Sequence, residues 1–171
     1  MEKVKTFLAD ISDLLNEKNY QKIYEKVPAF RQEKADRLKH REDQAQSVGA
    51  WYLWMKIQER HKILQDAGQS FNLSHSGKYV LCSAGVSGER VGCDIECMRN
   101  YHERLAEKYF CSSEYERIRN ADEAERTEMF YRYWVLKESF LKATRKGLVM
   151  GLNTSEIQIP KQGDPVFLRQ P

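Results

Sequence analysis

The chain has 171 residues, of which 41% are hydrophobic and 31% are charged, and its formal net charge is +3. A chain of this length can bury the core of one compact unit, and no apolar run approaches the roughly twenty residues that span a bilayer. The start of the chain, residues 1–5, leads into a pattern with Asp10 and Asp13 instead of the apolar segment of a secretion signal. We therefore expect a cytoplasmic protein with no membrane partner.

Charge and cysteine usage argue against two further classes of protein. Basic residues concentrate in segments 31–41 and 137–146, but no reading motif or base-stacking aromatic set accompanies them, so nucleic-acid binding is the weakest alternative. The four cysteines form no Cys-x-x-Cys pair, and we expect no zinc site. These cysteines are Cys82, Cys93, Cys97 and Cys111.

Helices are predicted for the first part of the chain. Residues 2–26 carry apolar residues three and four apart, which is the period of a helix face. A second helix is expected to open near Arg31, after Pro28, with a dense basic run. A third runs from Gly49 to about Leu64, and its aromatic residues are expected to pack in the core.

A hairpin is predicted in the middle of the chain. Residues 71–77 are interpreted as a lead-in that ends in a short polar turn, and Tyr79–Ala84 as an apolar strand. Ser87-Gly88 is expected to join this strand to a second, antiparallel strand at Arg90–Glu96.

The second strand of this hairpin would place two carboxylates on one face. Side chains alternate along a strand, so Asp94 and Glu96 would share the face opposite Val91, Cys93 and Ile95. Like charges this close repel unless a cation, a proton or an arginine offsets them, and a hard divalent metal is one such cation. A solvated strand face is the alternative that this stretch leaves open.

Two further features are predicted for the last third of the chain. Ser113 and Glu116 resemble a capping box, so a helix is expected to begin near residue 113. Strands at 157–159 and 166–168 flank a turn and are expected to close the chain as a hairpin.

A long helix is predicted from about Glu123 to Arg145, and Gly147 is expected to end it. Glu138, Lys142 and Arg145 fall along one stripe of this helix. A surface ion pair is the alternative to a functional role for the stripe.

Three motifs occur in a fixed order along the chain. They are Asn72-Leu-Ser-His-Ser-Gly77, Val91-Gly-Cys-Asp-Ile-Glu96, and Trp134-Val-Leu-Lys-Glu-Ser-Phe-Leu-Lys142 followed by Lys146-Gly147-Leu148. Together they resemble the 4′-phosphopantetheinyl transferases of the larger, surfactin-synthetase-activating type. The basic stretch 31–43 is similar to the N-terminal stretch with which that family contacts coenzyme A (CoA), and the resemblance covers roughly residues 28–160.

The resemblance implies an α+β fold, a pseudo-dimer of two α/β halves with the active site in the cleft between them. Each half would be a helix packed on a small antiparallel sheet. Residues 1–88 would hold the CoA-contacting helix and the Ser-His turn, and residues 89–171 the metal strand and the Trp-x-x-Lys-Glu helix. The two halves would form one compact unit, and a monomer is the expected state.

The implied reaction moves the phosphopantetheine arm of CoA onto a serine hydroxyl of an acyl or peptidyl carrier protein and releases 3′,5′-ADP. By resemblance, Mg²⁺ would be held by Asp94, Glu96 and Glu138. Glu138 would also be the catalytic base, and Lys142 would neutralise or protonate the departing phosphate. The residues expected to bind CoA are Arg31, Lys34, Ser47, Ser74, His75, Lys137 and Lys142.

The chain departs from the family pattern at three places. The segment before Phe71 is short and lacks a Gly-Lys-Pro element, Gln46 stands where an arginine is common, and the chain stops soon after Leu168. An alternative is therefore a non-catalytic module that binds CoA or a carrier protein. The smaller, holo-acyl-carrier-protein-synthase type fits less well, because its Asp-containing strand lies close to the N-terminus.

Overall fold

The computed structural model describes residues 4–60, 70–85, 89–145 and 151–170. These residues form α-helices and small antiparallel sheets, which confirms the α+β class. The chain divides into two compact units, Met1–Glu96 and Cys97–Pro171. No helix in the described ranges has both the length and the apolar character that a membrane crossing requires.

The first unit is built on a three-stranded antiparallel sheet with strand order β1-β3-β2. In register, Val4 lies opposite Gly85, and Ser76 lies opposite Tyr79. In chain order its elements are β1 (Val4–Asp10), a 3-10 turn (Ser12–Leu15), α1 (Glu17–Tyr24), α2 (Ala29–Asp36), α3 (Arg41–Arg60), β2 (Ser70–Ser76) and β3 (Tyr79–Gly85).

The core of this unit lies between α3 and the sheet. Trp54 and Ile57, one helical turn apart, pack with Cys82 and Ala84, which are alternate residues of β3. The Trp54 ring stacks on Phe71 of β2, with 4.3 Å between the ring centroids. Burial in this apolar layer raises the pKa of the Cys82 thiol to about 12.

The helix predicted over residues 2–26 is wrong in its first part. Val4–Asp10 is a strand, and only Glu17–Tyr24 is α-helical. Phe7 is partly buried while Leu8 is exposed, so burial alternates with period two. Spacings of three and four also fit an edge strand, and pairing with β3 decides the conformation here.

The prediction of the central hairpin is wrong in its strand pairing, although strand β3 itself is confirmed. Strands β1 and β2 occupy both edges of β3, so Arg90–Glu96 cannot pair with it, and this segment has no strand assignment. The predicted polar turn is the end of strand β2, and the chain reverses at Gly77, whose φ is +53°. The predicted turn at Ser87-Gly88 lies outside the described residues.

The second and third helices are confirmed with changed limits. α2 contains Arg31, and α3 begins at Arg41, well before Gly49; its predicted end near Leu64 lies outside the described residues. Gly49 is buried in α3 because Ile11 approaches it closely: a Cβ at this position would lie 2.8 Å from Cγ2 of Ile11.

The second unit packs three helices against a two-stranded sheet. Its core is formed by Ala106, Phe110, Ile118, Phe130, Tyr133 and Ile157. The antiparallel pair β4–β5 is the predicted closing hairpin. The elements are α4 (Glu103–Tyr109), α5 (Ser112–Arg119), α6 (Glu123–Thr144), a 3-10 turn (Leu152–Thr154), β4 (Glu156–Gln158) and β5 (Val166–Arg169).

Two helix ends in this unit differ from the expectation. The long helix is confirmed, but it ends at Thr144, with Arg145 in the left-handed conformation at φ +58°; Gly147 lies outside the described residues. The capping box of α5 uses Cys111 and Glu114, two positions before the predicted pair. The Cys111 amide donates to Oε2 of Glu114 at 2.9 Å.

We predict that Gly49→Ala lowers the free energy of unfolding by about 1–3 kcal/mol, because the new methyl group overlaps Ile11. In an open helix the same change raises stability by about 1 kcal/mol, so the sign is diagnostic. Urea unfolding followed by circular dichroism measures the change. In an Ile11→Ala background the cost should shrink, and a Gly49→Ala protein as stable as the wild type would contradict the packing described.

Candidate functional site

Alternate side chains of β2 form a single polar row. Ser70, Asn72, Ser74 and Ser76 each hydrogen-bond to the segment 89–96. Alternate residues of a strand share one face, so the four groups are evenly spaced along it. We call these four residues the β2 row.

The first two members of the β2 row fix the backbone of segment 89–96. The Ser70 hydroxyl donates to the Glu89 carbonyl. Oδ1 of Asn72 accepts the Cys93 amide at 3.2 Å, and the Asn72 carbonyl accepts the Cys93 thiol at 3.2 Å. Val91 and Cys93 are buried, whereas Ile95, the third residue of the predicted apolar face, is only partly buried. Side chains of β2, and not a backbone ladder, therefore set the position of this segment.

The last two members of the β2 row bind the two carboxylates. The Ser74 hydroxyl donates to Oδ1 of Asp94 at 2.8 Å, and the Ser76 hydroxyl donates to Oε2 of Glu96 at 3.1 Å. Ser74 is only 5% exposed, and its oxygen also accepts the Ile95 amide at 3.4 Å. The structure thus brings Ser74 and Ser76 together with Asp94 and Glu96; the observed partner of the Ser74 hydroxyl is the carboxylate of Asp94.

The two basic residues of segment 31–41 that are predicted to bind CoA, Arg31 and Lys34, lie on α2. The guanidinium carbon of Arg31 lies 4.4 Å from the centroid of the Trp51 ring, which is a cation–π contact. Burial lowers the pKa of Arg31, and its Nε is buried without a hydrogen-bond partner in the described part of the chain. Lys34, one turn along the helix, is exposed. A stacked arginine holds its N–H groups in a fixed plane, which suits a phosphate.

Two neighbouring residues of α3 carry polar groups in a buried setting. Ser47 is 6% exposed, and its hydroxyl has no hydrogen-bond partner among the described residues. A buried hydroxyl left without a partner is unfavourable, so a ligand atom would satisfy it. The preceding Gln46 donates from Nε2 to the Gly77 carbonyl at 2.8 Å and so ties α3 to the β2–β3 turn. His75, near that turn, is exposed.

Lys137 of α6 is fully buried, and its ammonium group is held inside the second unit. It forms an ion pair with Oε2 of Glu114 at 2.7 Å, and Glu114 is 1% exposed. It also donates to the carbonyls of Leu152 at 2.9 Å and Ser155 at 2.6 Å. These contacts use its three N–H donors, so the structure gives Lys137 an internal role in place of the predicted CoA contact.

Glu138 and Lys142 lie one turn apart on α6, and both are partly buried. They belong to the second unit, whereas Asp94 and Glu96 belong to the first. Within residues 4–60, 70–85, 89–145 and 151–170, no group of three or more His, Cys, Asp or Glu side chains is arranged to hold a metal ion. The carboxylates of Asp94 and Glu96 fit Mg²⁺ in donor chemistry, as part of a ligand set.

The sequence prediction missed Asn72, Ser76, Gln46 and the Glu114–Lys137 pair as parts of these sites. A signal for the β2 row existed, because Ser or Asn occupies every second position of Ser70–Ser76, which is the period of a strand face. The ion pair left no comparable signal, since its two residues lie on different helices.

A model of the 4′-phosphopantetheinyl transferase superfamily matches residues 90–170. Sfp of Bacillus subtilis (strain 168), named a 4′-phosphopantetheinyl transferase, is 34% identical over 93 residues, which is 54% of this chain and 41% of Sfp. The 4′-phosphopantetheinyl transferase ffp of Bacillus subtilis is 27% identical over 167 residues, which is 87% of this chain and 74% of ffp.

A third relative is the 4′-phosphopantetheinyl transferase HetI of Nostoc sp. (strain PCC 7120 / SAG 25.82 / UTEX 2576). It is 38% identical over 85 residues, which is 48% of this chain and 35% of HetI. The chain thus spans less than half the length of Sfp and of HetI, and about three quarters of ffp.

We predict that Lys137→Met lowers the free energy of unfolding by about 3–5 kcal/mol, because it leaves the Glu114 carboxylate buried without its countercharge. Lys108→Met on α4 is the matched control; Lys108 is exposed, and the expected change is within about 0.5 kcal/mol. Urea unfolding measures both. Equal stability of the two variants would show that the pair does not hold α6 in place.

Proposed function

Because this chain belongs to the 4′-phosphopantetheinyl transferase superfamily, we propose that it moves the phosphopantetheine arm of CoA onto a serine hydroxyl of an acyl or peptidyl carrier protein and releases 3′,5′-ADP. The β2 row supports this most, since its hydroxyls hold two neighbouring carboxylates within the region that matches the family. The same proposal includes an active site in the cleft of a pseudo-dimer. It also includes a monomeric state, a cytoplasmic location and the lack of nucleic-acid or membrane partners.

Asp94 and Glu96 would hold Mg²⁺, with Glu138 as a third carboxylate. The bound ion would neutralise charge on the pyrophosphate of CoA. The chain's own contribution is orientation: Ser74 and Ser76 each bind one carboxylate oxygen and so restrict its rotation. The two carboxylates are thereby held near each other despite their repulsion.

Glu138 and Lys142 would carry the proton transfers. Glu138 would accept the proton of the attacking serine hydroxyl, directly or through a water, as the new oxygen–phosphorus bond forms. The pyrophosphate bond of CoA breaks in the same step, and Lys142 would neutralise or protonate the phosphate of the departing 3′,5′-ADP. The two residues lie one turn apart on a regular helix, which supports a joint role.

The phosphates of CoA would be bound by Arg31, Lys34 and His75 and by the hydroxyl of Ser47, with Ser74 beside them. The stacked guanidinium of Arg31 and the buried hydroxyl of Ser47 support this assignment, since each has a polar atom with no partner in the described residues. Ser74 gives its one hydroxyl proton to Asp94, so it would lie beside CoA and orient this carboxylate, while its neighbours donate to the phosphates.

We predict that the protein, incubated with CoA, Mg²⁺ and apo carrier proteins, adds one phosphopantetheine arm to a carrier serine and releases 3′,5′-ADP. Intact-mass spectrometry of the carrier measures the gain. Asp94→Ala and Glu138→Gln should each lower the rate by at least about 100-fold, because one removes a metal ligand and the other the proton acceptor.

Glu128→Gln is the matched control for Glu138→Gln, because Glu128 is exposed on the same helix, and its rate should equal that of the wild type. His75→Ala should mainly raise the CoA concentration that is required. Near-normal turnover in Glu138→Gln would refute its role as base. Calorimetric CoA binding without a mass gain on any carrier of the same organism would instead favour the non-catalytic module.

A further inference from the structure

The side chain of Glu96 is exposed, and an exposed glutamate samples many rotamers. Ordering such a side chain at a ligand site has an entropic cost unless a neighbour already holds it. The hydroxyl of Ser76 donates to Oε2 of Glu96 at 3.1 Å, so a neighbour of this kind is present.

The backbone around Ser76 is held from several sides. Ser76 ends β2 and pairs with Tyr79 across the reversal at Gly77. The Gly77 carbonyl accepts from Nε2 of Gln46, and the next carbonyl, that of Lys78, accepts the Ile11 amide at 2.8 Å. The Ser76 hydroxyl therefore projects from a fixed point of the sheet. It lies on the same strand face as the Ser74 hydroxyl, which binds Asp94.

We propose that Ser76 is a positioning residue of the carboxylate pair, which holds Glu96 in the orientation in which Glu96 and Asp94 bind one divalent cation. The inference rests on the proposed function. A neutral hydroxyl suits this role, because it orients a carboxylate without cancelling the charge that attracts the cation, as a lysine or arginine would.

The second unit offers a matched control for this bond. The Ser113 hydroxyl donates to Oε1 of Glu156 at 2.5 Å, which is also a serine–glutamate hydrogen bond at the protein surface. Neither Ser113 nor Glu156 belongs to the proposed catalytic or binding groups. Loss of the Ser113 bond therefore reports what such a bond does for stability alone.

The test compares the wild type with Ser76→Ala, Ser76→Thr and Ser113→Ala in the full chain. Mn²⁺, without CoA or carrier protein, serves as the probe, and its dissociation constant is measured by electron paramagnetic resonance. Ser76→Ala should raise that constant about tenfold, since loss of a group that orients a metal ligand typically weakens affinity on this scale. Ser76→Thr keeps the hydroxyl and should stay within about twofold of the wild type, as should Ser113→Ala.

A second readout is the Mg²⁺ requirement of carrier modification. Ser76→Ala should raise the Mg²⁺ concentration for half-maximal rate, with kcat at saturating Mg²⁺ within about threefold of the wild type. A purely structural role would lower the urea midpoint and leave the metal requirement unchanged, which would overturn the inference.

The outcomes separate the inference from the proposed function. Mn²⁺ binding by Ser76→Ala equal to that of the wild type overturns the inference, and carrier modification by the wild type in the same samples would leave the proposed function standing. A wild type that transfers the arm but binds no Mn²⁺ also overturns the inference alone. Absence of both Mn²⁺ binding and transfer overturns the two together.

Discussion

The hydrogen bonds from the β2 row to segment 89–96 are the constraint on which the candidate site depends. Strand β3 has neighbours on both edges, so segment 89–96 finds no backbone ladder there. Side chains hold the segment instead, because Asn72 binds the backbone of Cys93, while Ser74 and Ser76 bind the carboxylates that follow. One period-two pattern in a strand thus both anchors a segment and orients its charged groups. The two carboxylates are therefore bound to hydroxyls of a sheet that is itself packed against α3.

The second unit fixes its own candidate residues by a different interaction. The buried ammonium of Lys137 joins α6 to Glu114 of α5 and to two carbonyls after the end of α6. A buried charge is tolerated only with such compensation, so the rotation of α6 about its axis is tightly specified at this point. Glu138 is the next residue, and its direction follows from that of Lys137. In the proposed mechanism, the base is therefore oriented by a neighbour that never meets the substrate.

The long helix α6, strand β3 and the closing hairpin could be predicted because each has a strong local pattern and clear boundaries. The prediction was wrong over Val4–Asp10, where apolar spacings fit two structures and only pairing with β3 selects the strand. The prediction was also wrong in pairing 90–96 with β3, because β1 and β2, from other parts of the chain, already occupy both edges of β3. The motifs that contain Ser74, Asp94 and Glu96 could be identified from the sequence, but the hydrogen bonds of Ser74 and Ser76 and the burial of Lys137 depend on contacts between distant segments.

The proposed metal site depends on the β2 row, which orients Asp94 and Glu96 so that both bind one cation. Anomalous diffraction from crystals of the protein soaked with Mn²⁺ and CoA would locate that cation. We expect a Mn²⁺ peak roughly 2.0–2.3 Å from an oxygen of each carboxylate, with the Ser74 and Ser76 hydroxyls still bound to them. A Mn²⁺ peak held by other residues, or carboxylates that have turned away from the two hydroxyls, would contradict the proposed metal site.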